Sequence, residues 1–489
     1  MNIRRDRFNA ADDGSASGTA RTTSRRTVLK AAGAAAVGAS AALGLSAPAR
    51  ALEEAPGGTY DVIVIGAGFA GVTAARDLGK QGKRVLVLEA RGRIGGRTWT
   101  STLGGQQVEM GGTWVDPATQ PHIGAEIKRY GIELQEEGSI DRLILPTAGG
   151  PKEFDVAAGF AKIGALRASL FEGSAEYFDR PFEPLHRLDL LQSVDKLSLR
   201  DRLNQLALSP ADEILINGET ALLAGGTSAQ GALTMLAQQW QLAGGTETGW
   251  NNTVRWSMKQ GTSGLLNAMM KDSGATLRLN SPAASVADGG KGIQYVTTKA
   301  GVRYAGRTVI VAAPINVWKT IKFSPSMPAA HTAATTQNAG GTEHGKKFWI
   351  HARTGQGRFY AQGAEGGPSI PWLQAGPATS EGQLYVGFSV DPNLDVNNVT
   401  QLKAAVQQLG VDLDIISVKG HDYGKDEYAL GAWGFRNPGQ LTSLYPNVLA
   451  DTGRVVFASG DAANGWSGYI DGALESGVRA VKQVQPYLS

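Results

Sequence analysis

YDVIVIGAGFAGVTAARDLGKQGKRVLVLEARGRIGGRT, residues 60–98, decides the fold. The opening run YDVIVI reads as a strand buried on both faces, and it breaks at a glycine loop. AGVTAARDLGKQG continues as a helix, and RVLVLE follows as a second buried strand that ends on an acid. Within this strand–helix–strand unit, Gly66, Gly68 and Gly71 stand in GxGxxG spacing. Gly66 permits the tight turn, Gly68 lets a pyrophosphate approach the backbone, and Gly71 lets the helix lie close on the sheet. Phe69 and Ala70 open the helix, whose N-terminal N–H groups and dipole favour phosphate charge. Glu89 stands 18 residues after Gly71, where a carboxylate accepts both hydroxyls of an adenosine ribose. The glycine spacing alone is a weak signal; strand, loop, helix and acid in register predict dinucleotide binding.

The next segment narrows the dinucleotide. LEARGRIGGRTWT, residues 88–100, sets Ala90, Arg91, Arg93 and Arg97 around a second glycine pair, Gly95–Gly96. A nicotinamide-binding unit has no need of further arginine and glycine there, whereas an extended flavin dinucleotide does. In these residues the chain resembles the flavin-containing amine oxidase family, which includes the monoamine and polyamine oxidases. GGTWV at 111–115, with Gly111, Gly112, Thr113 and Trp114, resembles the family's turn beside the isoalloxazine ring. SPAASV at 281–286 resembles the strand whose last residue, Val286, touches the adenine. FASGDAANGWSGYIDGALESGVRA, residues 457–480, is similar to the family's C-terminal FAD signature and contains Asp461 and Ile470. Within the family, the likeness is to the bacterial nicotine and pseudooxynicotine oxidase branch. The resemblance implies an α/β fold with a discontinuous Rossmann-like FAD-binding domain and an inserted α+β substrate domain. The expected boundaries are 58–135, 260–318 and 425–489 for the cofactor domain, and 136–259 and 319–424 for the substrate domain.

Composition agrees with a globular enzyme: 42% of the 489 residues are hydrophobic and 19% charged. Residues 1–51 read as a leader. TTSRRTVLK, with Arg25 and Arg26, precedes a moderately apolar run from Ala31 to Ala47, and Ala49-Arg50-Ala51 supplies a cleavage site. This predicts export to the periplasm by the twin-arginine route, without stable membrane insertion. The leader holds eight Arg/Lys and three Asp, so the chain's +3 becomes −2 beyond it, from 39 basic and 41 acidic residues. No basic surplus remains to suggest nucleic acid. The chain has no cysteine, which excludes thiol nucleophiles and thiolate metal ligands. Ala432 stands where some relatives carry a cysteinyl–flavin bond, so FAD is expected to bind non-covalently. The six histidines show no metal-ligand spacing, and no GxSxG elbow is present.

Several residues gain a role through the resemblance. Lys347, in HGKKFWIHA, would bond through water to flavin N5; composition alone makes it a surface lysine, and Lys346 stays open as the alternative. Trp433 and Tyr469 would form two walls of an aromatic cage that steers the amine, where the plainer reading is core packing. Trp433 replaces the tyrosine commonest in monoamine oxidases. Trp372 is a further candidate pocket wall, and Asp461 a candidate partner for a ribityl hydroxyl as well as a helix N-cap.

The expected function is FAD-dependent oxidation of a small-molecule amine, secondary or aryl-alkyl and nicotine-related, to an imine that hydrolyses to a carbonyl product. The acceptor is O2 or a c-type cytochrome, and the oligomeric state, a homodimer included, is left open. Two alternatives stand beside it. An L-amino-acid or polyamine oxidase on the same scaffold would need, for amino acids, an arginine such as Arg436 facing the substrate. A non-catalytic flavin-binding protein would bind FAD that no amine reduces.

Overall fold

A computed structural model describes residues 57–353 and 356–489, together with the backbone of the short strand Glu53–Glu54. The leader read at 1–51 lies outside the described residues.

The first layer is a nine-stranded sheet. Its order runs Thr276–Arg278, Val85–Leu88, Tyr60–Ile65, Val302–Val311, Ile293–Thr298, Ala283–Gly290, Lys322–Ser324. Glu53–Glu54 and Val455–Phe457 also pair with Val302–Val311. The strands around Tyr60–Ile65 are parallel, as a strand–helix–strand crossover requires. Their alternate side chains enter two separate cores. Val62, Val64, Val85 and Val87 meet the helices Phe69–Lys80 and Ile470–Val484 on one face. Ile63, Ile65, Leu86 and Leu88 meet Trp318 and Phe457 on the other. Burial on both faces is why these strands read as continuous apolar runs.

The second layer is a seven-stranded sheet in the order Ile415–Asp422, Lys346–Arg353, Gly382–Ser389, Trp372–Ala378, Phe359–Gln362, Arg142–Thr147, Gly150–Phe154. Helices Val156–Leu170, Leu199–Leu206, Pro210–Leu223 and Leu233–Leu242 cover its Leu143 and Leu145 side in one apolar cluster. Lys346–Arg353 is central, paired antiparallel on both edges, and seven of its eight residues are buried.

Beyond the boundary expected at 318, the chain still contributes to the first sheet. Lys322–Ser324 pairs in parallel with Ser285–Ala287 in the first sheet, and His331, in helix Ala329–Thr336, stacks on Trp318 and Phe457. The chain completes this sheet's edge before it crosses to the second. Strands Gly150–Phe154 and Trp256–Met258 bracket the helices between them.

Candidate active site

A cavity of about 730 Å³ runs between the two sheets, and the glycine loop forms one end of it. Gly66 has φ +104°, and a Cβ there would lie 2.7 Å from the Ala312 carbonyl oxygen. At Gly71 a Cβ would fall 2.0 Å from the Gly66 carbonyl, so this glycine seats the helix on the turn and does not itself line the cavity. Helix Phe69–Lys80 begins at Gly68 with no side-chain cap, which leaves its first N–H groups available to a phosphate. Gly95 and Gly96 face Gly68 across the cavity wall with no side chain between the loops. Glu89 lines the same end, buried; its Oε2 accepts the Ala67 N–H and its Oε1 the Arg91 N–H, each at 2.8 Å. The carboxylate thus ties the glycine loop to the second strand and keeps lone pairs for a diol. A donor-rich, side-chain-free cradle beside a buried carboxylate fits an adenine dinucleotide.

Two residues expected on the cofactor are not among those that line the cavity. Val286 is buried in the core behind the sheet with Trp318, and the cavity wall is made by Pro282 and Ala283 instead. The bulge between Ala283 and Ser285 shifts the strand's register, so the later residue turns inward. Asp461 also stays out of the wall. Both its oxygens accept from Arg97, at 2.9 and 2.6 Å, and Oδ2 takes the Ser459 hydroxyl at 2.8 Å. Arg97 also donates to the Ala432 carbonyl at 2.8 Å, so the pair clamps three distant segments together. Arg91 and Arg97 remain in the wall, Arg91 paired with Asp426 at 2.6 Å.

The middle of the cavity is bounded by Gly111, Gly112, Thr113 and Trp114 from one side and Ile470 from the other. Lys347 lies here. Its ammonium nitrogen donates to the Gly111 carbonyl at 2.8 Å and to Thr113 Oγ1, and lies 5.0 Å from the Trp114 ring centre. Burial lowers its pKa from 10.5 to about 7, with Glu109 and Glu137 opposing the shift. Lys346 is directed to the other side of the sheet, where its nitrogen donates to the carbonyls of Asp391 and Leu394 at 2.7 Å. Strand alternation separates the two lysines, and Lys347 is the one beside the cavity turn.

Trp433 and Tyr469 both line the wall. Their loops touch through glycine: a Cβ on Gly434 would stand 2.6 Å from the Gly468 Cα, and Gly468 has φ +86°. Trp372 also lines the cavity, 5.0 Å from the Phe388 ring, which stands edge-on to Trp433 at 5.7 Å. Phe388 has no motif in the sequence; it faces the site because it is Lys347's register partner across the antiparallel pair. Tyr360, Arg167 and Glu219 are wall residues of the same kind, supplied by a strand and two helices that carry no signature. Arg436 is not in the wall; it donates to Gln238 Oε1 at 2.9 Å and lies over the Tyr445 ring. Among the described residues no cluster of acids and histidines is arranged to hold a metal, and no helix is long and apolar enough to cross a membrane.

Residues 69–485 match the family model of flavin containing amine oxidoreductases. The chain is 34% identical to nicotine dehydrogenase of Pseudomonas putida (strain DSM 28022 / S16) over 436 residues, 88% of this chain and 89% of that protein. It is 33% identical to pseudooxynicotine dehydrogenase of a Pseudomonas species over 474 residues, 94% of each. In fold it superposes on putrescine oxidase bound to putrescine with a TM-score of 0.71 at 20% identity, over 87% of this chain and 98% of that one.

Proposed function

We propose, since this chain belongs to the family of flavin-containing amine oxidoreductases, that it oxidises a nicotine-related secondary or aryl-alkyl amine. Membership makes it an oxidoreductase with FAD as cofactor. The observation that carries the substrate reading is continuity. One cavity joins the glycine cradle and Glu89 to a chamber walled by Trp433, Tyr469, Trp372 and Phe388.

When bound, FAD supplies a hydride acceptor for the α C–H bond of the amine. The protein's part is to bind, orient and keep dry. Trp433 and Tyr469 attract the amine while it is still protonated and, once it has released that proton to solvent, hold the neutral amine between their rings. The Gly434–Gly468 backbone contact fixes the gap between those rings. Lys347, close to half-neutral at pH 7, is assigned the ordering of a water at the reacting edge through its bonds to Gly111 and Thr113. Trp372 and Phe388 exclude bulk solvent. The oxidised amine leaves as an imine, which water hydrolyses to a carbonyl compound and a smaller amine. No strong side-chain base is required, in keeping with the absence of a histidine from the wall.

Arg436, taken up by Gln238 and Tyr445, does not support the amino-acid alternative. Anaerobic bleaching of the flavin against amines, amino acids and polyamines tests the reading. Bleaching by nicotine-type amines is the expected result, and bleaching by amino acids alone would remove it. Re-oxidation of the bleached enzyme by air or by a c-type cytochrome then identifies the acceptor. Export by the twin-arginine route is part of the same proposal, resting on Arg25 and Arg26. Cell fractionation tests it: a cytoplasmic wild-type enzyme, or unchanged export of an Arg25→Lys/Arg26→Lys variant, would overturn it.

A further inference from the structure

Beyond the aromatic cage the chamber ends in a buried ion cluster that the oxidation step does not use. Arg167, from helix Val156–Leu170, is part of the wall, and its side chain is 8% exposed. One terminal nitrogen donates to both oxygens of Glu219, at 2.9 and 2.7 Å, and the other to Glu247. Glu219 comes from helix Pro210–Leu223 and Glu247 from helix Glu247–Asn252, so the arginine knits three helices together at the chamber wall. The guanidinium lies 5.4 Å from the Trp250 ring, another wall residue. One donor is left over: Arg167 Nε–H is buried and has no hydrogen-bond partner. A buried donor left unpaired is costly, by about 1–3 kcal/mol, so such a group marks a place where an acceptor belongs.

Tyr360 stands in the same wall, stacked edge-on against Phe160 at 5.4 Å and Trp372 at 6.0 Å. Its hydroxyl lies 3.5 Å from Gln362 Oε1, a long distance, and also pairs with the Trp372 side chain. The chamber end therefore offers the Arg167 Nε–H and the Tyr360 hydroxyl as donors. Charge decides what kind of acceptor fits. Two carboxylates share one guanidinium, so the cluster carries a net −1 and a third anion would be repelled.

We propose that Arg167 and Tyr360 are specificity-determining residues that bind a neutral hydrogen-bond acceptor, a heteroaromatic nitrogen or a carbonyl oxygen, at the end of the amine remote from the reacting C–H. The inference rests on the amine-oxidation reading above and deepens it: the substrate carries a basic nitrogen at one end and an uncharged acceptor at the other. Carboxylate-bearing amines are selected against by the same cluster.

The test is a matched pair of amines on the FAD-loaded enzyme: 1-methyl-2-(pyridin-3-yl)pyrrolidine and 1-methyl-2-phenylpyrrolidine, which differ only in the acceptor nitrogen. Rates of anaerobic flavin reduction give the KM-against-kcat split, and a thermal-shift titration with 3-phenylpyridine, which has no oxidisable amine, reports binding at the distal end alone. The wild type should favour the pyridyl amine about 10- to 100-fold in kcat/KM, chiefly through KM. The two amines should converge in Tyr360→Phe, which loses one hydroxyl, and in Arg167→Lys, which keeps the charge but has no Nε–H. Equal kcat/KM for the pair in the wild type, or a preference that survives both variants, would overturn the inference while leaving amine oxidation intact. Reduction by neither amine, with no shift from 3-phenylpyridine, would remove both readings together.

Discussion

The two ends of the cavity are built from different materials. At the cofactor end the wall is main chain: Gly66, Gly68, Gly95 and Gly96 present peptide groups, and the single buried acid, Glu89, is pinned by two backbone N–H groups. At the amine end the wall is side chain: Trp433, Tyr469, Trp372, Phe388 and Tyr360 reach in from three strands and two loops, with Arg167 from a helix in the same wall. A main-chain wall is indifferent to which side chains surround it but tolerates no added atom. A side-chain wall can be re-cut residue by residue while its scaffold stands. The protein thus keeps its constant ligand in the part that cannot vary and meets its variable ligand in the part that can.

Breaking the main-chain end should have the largest effect. Gly71→Val places a branched side chain where the Cβ alone would lie 2.0 Å from a carbonyl oxygen, so we expect a loss of about 3 kcal/mol or more and little bound flavin. The ratio of visible flavin absorbance to protein absorbance, with the melting temperature, reads both. At the junction of the two ends, Lys347→Met should retain FAD and slow flavin reduction by roughly 100-fold in single-turnover kinetics. The same variant carries a pH signature. The lysine's folded pKa is near 7 and its unfolded value 10.5, so between those limits the unfolded chain binds the extra proton and stability rises with pH. That contribution is smallest below about pH 7, and the variant should flatten the slope in thermal melts of the loaded enzyme.

A smaller, purely side-chain effect is expected from Trp433→Ala. Amine binding should weaken by about 10-fold while the flavin spectrum holds its shape, since one face of the cage is lost and none of the cradle. The smallest change sharpens the comparison. Val286→Ala should lower stability by about 1–2 kcal/mol and leave FAD affinity unaltered, whereas Ala283→Leu should weaken FAD binding. If Val286→Ala released the cofactor, the wall drawn here through Pro282 and Ala283 would be wrong.

The same division explains what could be read from the sequence. A main-chain wall demands glycine at fixed spacing, and that demand is visible in the chain: Gly66, Gly68 and Gly71, then Gly95 and Gly96, then Gly111 and Gly112. The strands on either side of the glycine loop were likewise legible, because runs buried on two faces leave few polar residues. Side-chain walls leave no such trace. Phe388 reaches the site through register, Arg167 and Glu219 through the packing of helices, and none of these follows from local spacing. Val286, singled out by resemblance, is buried with Trp318 beside a bulge near Ala283 that local spacing does not reveal. Asp461, singled out as an acid after a strand, is engaged by Arg97, which lies 364 positions away.

The Arg97–Asp461 clamp has a consequence for how the holoenzyme is made. The glycine loop is synthesised early, yet the cradle is closed by Val455–Phe457, which pairs beside it on Val302–Val311, and by helix Ile470–Val484. Until residues 455–484 have left the ribosome, the groove has one wall missing and Arg97 has no carboxylate to hold. Capture of the flavin is therefore expected only after these residues are made, and once the clamp has shut, escape requires helix Ile470–Val484 to peel away. A truncation of the last helix should yield a protein that never acquires its colour, whatever the health of its first 450 residues.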